Sequence, residues 1–279
     1  MLKNIIQAVL LTIILTSCQR EVSIIQRTND EPLLVKIVTV TAPQNDSTIV
    51  TYDYDNDRRM VKETYYHRYV TPSGTVMLPS WLEFTRDASG RIIRIKGVGR
   101  SVMNPTVEIT NFGTVYYVND TSSKVAYLTN DHNDNKTMFQ YNSAGQVVRT
   151  EDYQRLPATA PLRMVVYHLY QYDGADNMIE RKEYTDQDND GSFEFNIGAR
   201  LQYDGKINPS YRVDDALFEG RWLDVSPANF LKMFVDNPHP LSIQDTVSNQ
   251  FTYRSDGRPQ TAIVSGNSIP QSFRTYFYQ

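Results

Sequence analysis

One stretch of the chain has residues spaced for ion chemistry. Asp186-Gln187-Asp188-Asn189-Asp190-Gly191-Ser192 sets carboxylates at alternate positions ahead of a glycine. A hard cation takes several oxygens at about 2.5 Å, and a D-x-D-x-D-G turn gathers three of them. Asp186, Asp188 and Asp190 are therefore the candidate metal ligands, and calcium is the one cofactor the sequence points to. The pattern is incomplete. Ile197 stands where an EF-hand has a bidentate Glu, and no helical pattern flanks the loop. The competing reading is an acidic, solvated hairpin turn. Asp53, Asp55 and Asp57 also alternate, but Arg58 and Arg59 follow them and would neutralise the cluster.

Other chemistry is missing or generic. None of His67, His132, His168 and His239 lies two or four residues from another His or from a Cys, so no zinc motif exists. His168 reads as a sheet-face residue paired with a Tyr or a carboxylate. Gly97-Val98-Gly99-Arg100-Ser101 has no third Gly, no Lys and no helix after it, and reads as a strand end or turn rather than a phosphate loop. No Gly-x-Ser-x-Gly elbow occurs. Catalytic residues are therefore not assigned. With 28 basic and 32 acidic residues and no basic block, the chain lacks the footprint of a nucleic-acid binder. Its single Cys excludes an intrachain disulfide framework.

That cysteine has a specific context. An apolar stretch from Ile5 to Leu15, with Lys3 before it, is too short to span a bilayer and reads as the core of a signal peptide over residues 1–17. Leu15-Thr16-Ser17-Cys18 resembles a bacterial lipobox. The resemblance implies that the Cys18 thiol carries a diacylglycerol and begins the mature chain. Two or three acyl chains, at about 0.8 kcal/mol per buried CH₂, anchor firmly. Gln19, rather than Asp, favours the outer membrane of a bacterial envelope. Residues 18–32 are polar and read as a tether.

The remainder, 33–279, reads as one domain built of a degenerate repeat. An aromatic residue leads into a polar turn and then a new apolar run, with leading aromatics at Tyr54, Phe84, Tyr117, Tyr141, Tyr172, Tyr203 and Tyr253. A period near thirty accommodates two strands and two connections. Gly90, Gly145 and Gly257 supply the positive φ that closes such turns. Alternation with period two is clear: Leu82 with Phe84, Ile93 with Ile95 against Arg94 and Lys96, and Phe139 with Tyr141 against Met138 and Gln140. The expected fold is all-β, an antiparallel meander of repeated hairpins. Two layouts are open, a wide curved sheet or one folded into two layers. A transmembrane barrel is disfavoured because Arg94, Lys96, Arg181 and Lys182 put charge on both faces.

The Tyr-Asp-x-x-Gly-Arg-like turns resemble YD (Rhs-type) repeats, specifically the degenerate versions in bacterial envelope lipoproteins. The resemblance runs over about residues 50–279 and is best kept in Phe84–Ile93, Tyr141–Val148 and Tyr253–Arg258. Tyr203-Asp204-Gly205-Lys206-Ile207-Asn208-Pro209 is similar to a segment that in that family precedes an insertion with a short helix. The resemblance implies no catalytic residues.

An insertion is legible in the chain itself, because alternation lapses over about 209–245. Ser226 as N-cap, Pro227 at the first position, and Phe230, Leu231 and Phe234 on one face predict a helix over 226–235, stopped by Asn237-Pro238. The functional expectation is a lipid-anchored envelope protein acting as a non-catalytic binding or scaffold module for a protein or glycan partner. A hydrolase acting on polysaccharide through an acidic pair is the alternative; it requires two carboxylates about 5–9.5 Å apart.

Overall fold

The structure, a computed structural model, describes residues 31–42, 46–71, 74–100, 107–155, 159–211, 226–236 and 245–279. The leader, Cys18 and His239 lie outside these residues, as does most of the expected tether. Sixteen strands run in chain order: β1 (Leu34–Thr41), β2 (Asp46–Tyr54), β3 (Met60–Thr71), β4 (Gly74–Arg86), β5 (Ile92–Arg100), β6 (Glu108–Tyr117), β7 (Val125–Asn130) and β8 (Lys136–Tyr141). Then come β9 (Val147–Gln154), β10 (Arg163–Tyr172), β11 (Met178–Thr185), β12 (Glu194–Ile207), β13 (Ala228–Asp236), β14 (Asp245–Tyr253), β15 (Pro259–Gly266) and β16 (Ser272–Tyr278).

Each strand pairs antiparallel with its sequence neighbours, and β16 pairs with β1 to close a barrel. The antiparallel meander is as expected, but neither expected layout, a curved sheet or a two-layer fold, is adopted. An open sheet of this width would leave two rows of unpaired backbone groups, and closure removes both. The closing contact is itself a copy of the repeat. Leu33 and Gln279 exchange two backbone hydrogen bonds of 3.0 Å, and Tyr278 sits opposite Leu34. Strands β16 and β1 thus form an eighth hairpin whose two halves come from opposite ends of the chain.

Seven of the eight hairpins share one end construction; in the β14–β15 hairpin Tyr253 instead donates to the Asp204 carboxylate. At the last residue of the leading strand the pairing register slips, as at Tyr54, Tyr141 and Tyr172. The slip turns that side chain over the neighbouring hairpin, where the tyrosine hydroxyl donates to a backbone carbonyl. Tyr54 reaches Leu34 O at 2.7 Å, Tyr117 reaches Ile92 O at 2.9 Å and Tyr141 reaches Val125 O at 2.9 Å. Tyr172, Tyr203 and Tyr278 bond Val147 O, Met178 O and Pro259 O at 2.9, 2.6 and 2.9 Å. Each accepting residue is the first of its strand, and all six are buried. In the second repeat the position belongs to Arg86, whose guanidinium donates to Met60 O at 3.1 Å. Phe84, the aromatic that marks this turn in the sequence, sits one layer deeper, with Tyr52, Phe139 and Tyr170. These rings and Met60, Ile92, Val125, Val147 and Met178 form one apolar cluster inside this end of the barrel, called here the tyrosine end.

The register slip also corrects one pairing of faces. Ile92 and Ile95 turn inward, whereas Ile93 is exposed beside Arg94, because the extra residue at the turn shifts the alternation by one. Gly97 and Gly99 lie in the last four residues of β5, which ends at Arg100, so the stretch is a strand end as expected.

The expected helix is absent, and no helix occurs among the described residues. Its segment is strand β13, paired with β12 and β14. Phe230, Phe234 and Val235 suit a strand, and a helix here would leave both neighbours with unpaired edges. Ser226 is fully buried but does not cap a helix: its hydroxyl accepts from Met178 N at 3.0 Å and meets Tyr203 Oη at 2.8 Å. Parts of the expected insertion, 212–225 and 237–244, lie outside the described residues.

The exterior is charged along the strands. Glu83 bridges Lys62 and Lys96 at 3.3 and 3.4 Å; Arg94 meets Asp131 at 3.1 Å and Arg200 meets Asp236 at 2.9 Å. Cations also lie over outward rings, as Arg149 over Tyr167 and Lys36 over Phe277. Of the four charges that argued against a membrane barrel, Arg94, Lys96 and Lys182 face out, and Arg181 faces in.

Candidate functional site

The acidic loop after β11 brings its three carboxylates together: Asp186, Asp188 and Asp190 each offer an oxygen within 4.8 Å of the others. They are the one such cluster among the described residues. The loop's own hydrogen bonds take up much of their capacity. Asp186 accepts from Gly191 N at 3.4 Å and Asp190 accepts from Ser192 N at 2.6 Å. Arg163 places its guanidinium 3.4 Å from the buried Asp186 and also bonds Asn189. A cation bound here would have to share the inner carboxylate with that guanidinium. The second alternating set behaves as its sequence implies, with Arg59 on both Asp55 and Asp57 at 2.9 and 2.6 Å.

His168 lies between a hydroxyl and a carboxylate. Its Nδ1 is 3.0 Å from Thr150 Oγ1, and its Nε2 is 3.2 Å from Glu183 Oε2. Thr150 also meets Tyr170 Oη at 3.1 Å; Glu183 accepts from Arg181 at 2.9 Å and from Asn196 at 2.7 Å. Burial raises the Glu183 pKa, but the hydrogen bonds from Asn196 and Arg181 outweigh it and hold the carboxylate below its ordinary range. The residue types match a hydroxyl–imidazole–carboxylate array, but Thr150 has no solvent exposure and His168 only 4 %. A nucleophile must reach its substrate, so this array serves as a satisfied polar network within the barrel wall.

Two cavities lie beside the inward faces of the strands. The larger, about 590 Å³, is bounded by β4 to β9, where Gly97 and Gly113 leave room beside Leu82 and Leu128. Its charged groups are already engaged: Asp152 accepts from Thr137 at 2.6 Å, and Lys136 lies over Tyr127 at 3.9 Å. The smaller, about 390 Å³, lies on the other side, between β1, β2, β3, β13, β14 and β16. Tyr52, Tyr65, Phe230, Phe251 and Tyr276 contribute rings to it, and Tyr65 stacks on His67 with centroids 6.1 Å apart. Asn208, Pro209 and Ser210, just past β12, form part of its wall. They are held by Asn208 Nδ2 donating to Ser226 O and Asn229 Nδ2 to Ile207 O, both at 3.0 Å.

Arg274 also lines this smaller cavity. It alternates with the exposed Phe273 and shares the inward face with Ser272 and Tyr276. No hydrogen bond, ion pair or ring contact joins its side chain to any other described residue. The sequence reading missed Arg274, although a cation in phase with Tyr276 and Tyr278 in a terminal strand could have pointed to it. The cavity wall contains no carboxylate.

No protein-family model matches the chain, and no curated protein matches it. Among solved structures, a porin-like protein from Bacteroides uniformis ATCC 8492 shares the fold with a TM-score of 0.55 at 9 % identity, over 88 % of this chain and 98 % of that one. A porin-like protein from Bacteroides vulgatus ATCC 8482 aligns at a TM-score of 0.44 and 13 % identity, over 89 % of this chain and 99 % of that one.

Proposed function

We propose that this chain is a lipid-anchored envelope protein whose barrel stands in water as a non-catalytic binding module. The observation that carries this reading is the charged exterior. A barrel that spans a bilayer presents an apolar band to lipid, and Arg or Lys on that face costs about 2–4 kcal/mol at the midplane. Here the outward face carries the Lys62–Glu83–Lys96 bridge and the Arg149–Glu151 pair at 2.7 Å. The apolar cluster filling the tyrosine end also argues against an open pore.

The lipobox supplies the anchor in this reading. Leu33 sits at the tyrosine end, so a tether running back to Cys18 leaves the barrel from its filled end. The membrane then lies below that end. The partner class is a protein or glycan, and the degenerate YD-type turns agree with membership among envelope lipoproteins of that kind.

The test is expression of residues 19–279 without leader or acyl group. Recovery as a monodisperse folded species in buffer alone is the expected result; a chain that stays folded only in detergent would overturn the water-facing reading. Labelled palmitate on the full chain tests the tether separately, with Cys18→Ser expected to abolish incorporation.

A further inference from the structure

The smaller cavity combines three features that together specify a ligand chemistry. Its volume, about 390 Å³, falls within the range of small-molecule sites. Five aromatic residues and His67 contribute to its wall. Its single guanidinium, Arg274, has no partner among the described residues and faces no carboxylate across the cavity. Elsewhere the chain pairs its cations with care: Arg59, Arg91, Arg149 and Arg200 each meet a carboxylate at 2.9 Å or less. An unpaired guanidinium on an inward face of an otherwise acidic protein calls for an anion. Its planar fork matches a carboxylate at two points, and ring faces beside it favour a ring compound.

We propose that this cavity binds a small ring compound carrying one carboxylate, with the carboxylate on Arg274 and the ring against the Tyr65 and Tyr276 side chains. The proposal rests on the binding-module reading above and names the ligand class of the lumen. The Thr39 and Ser210 hydroxyls in the wall add polar contacts that a hydroxylated ring would use. The larger cavity offers no comparable cation, because Lys136 is already held over Tyr127.

The experiment is titration calorimetry on the full mature chain with glucuronate, 4-hydroxybenzoate and, as the uncharged control, glucose. Saturable binding of at least one acid, at least tenfold tighter than glucose and weakened by salt, is expected. Glucuronate alone binding would identify an acidic sugar, and 4-hydroxybenzoate alone an aromatic acid. Arg274→Gln should reduce affinity about tenfold or more, Arg274→Lys should restore part of it, and the exterior change Arg94→Gln should leave it unaltered. Failure of both acids to bind, binding of glucose as tight as the acids, or unchanged affinity in a folded Arg274→Gln chain would overturn the proposal. Solubility without detergent is measured on the same sample, so a failed site and a failed water-facing barrel are told apart.

Discussion

The tyrosine end and the cavity-lined lumen are built from the same strands by opposite rules. At the tyrosine end the turn side chains bond back to the repeat's own backbone. Tyrosine hydroxyls meet carbonyls, and Asp87 accepts from Ser89 N and Arg91 N at 2.9 and 3.0 Å. Along the lumen the repeat relaxes. Glycines replace side chains at Gly97 and Gly113, cavities open, and the Arg274 side chain has no partner among the described residues. The difference teaches that the repeat encodes a structural ring at one end, while specificity is carried by positions the repeat leaves free.

Substitutions should separate the two regions. The largest effect is expected for Ile92→Ala, which empties a fully buried position of the apolar cluster; a loss of about 2–5 kcal/mol in denaturant unfolding is predicted. Next comes Gly90→Ala. Gly90 has φ +89°, and an added Cβ would lie 2.7 Å from Arg59 Nη1, so a cost of about 1–2 kcal/mol follows. The lumen counterpart Gly97→Ala meets the flexible end of Leu82 at 3.4 Å and Asn111 O at 3.9 Å, both ordinary contacts, and should cost less than about 1 kcal/mol. Equal losses at the two glycines would erase the contrast. Tyr203→Phe removes a hydroxyl that serves both Met178 O and Ser226 Oγ, and about 1–3 kcal/mol should be lost. In the lumen, Arg274→Gln should change stability by no more than about 0.5 kcal/mol, since it breaks no side-chain hydrogen bond or ion pair with a described residue.

A pH scan sharpens the contrast further. Burial alone would raise Asp87, but hydrogen bonds from Ser89 and Arg91 outweigh it and bring the carboxyl down from its ordinary 3.8 to about 2. A depressed pKa contributes stability that is present above pH 3.8 and lost as pH falls toward 2. Unfolding midpoints should therefore drop across that window, and the drop should shrink in Asp87→Asn. The smallest expected effect concerns calcium. With Arg163 on Asp186, thermal melts with calcium and with chelator should nearly superimpose. A large upward shift with calcium would restore the loop as a metal site.

Much of the ring end was legible in the sequence. The aromatic-led turns, the antiparallel alternation and the positive φ of Gly90, Gly145 and Gly257 all follow from local chemistry. Arg58 and Asp176 take the equivalent positive φ without glycine, which blurs the motif in two copies. Arg86 hid behind Phe84 because two inward positions in succession can both attract a ring. Ser226-Pro227 and the spacing of Phe230 and Phe234 satisfy a helix as well as a strand, and only the edges of β12 and β14 decide between them. Closure was illegible for a different reason. The contact between β1 and β16 joins residues more than two hundred positions apart, and no local pattern records it. Arg274 became a site residue only through that closure, which sets Thr39 directly opposite it.

The most direct test of the eight-hairpin ring is therefore its seam. In a Cys18→Ser background, Val38→Cys with Thr275→Cys places two thiols on facing residues of β1 and β16. Mild oxidation should close an intramolecular disulfide in the folded chain and raise its thermal midpoint, since the cross-link would tie nearly the whole sequence into one loop. Free thiols after oxidation of the folded protein, or disulfides formed only between molecules, would show that the two terminal strands do not meet and that the sheet is open.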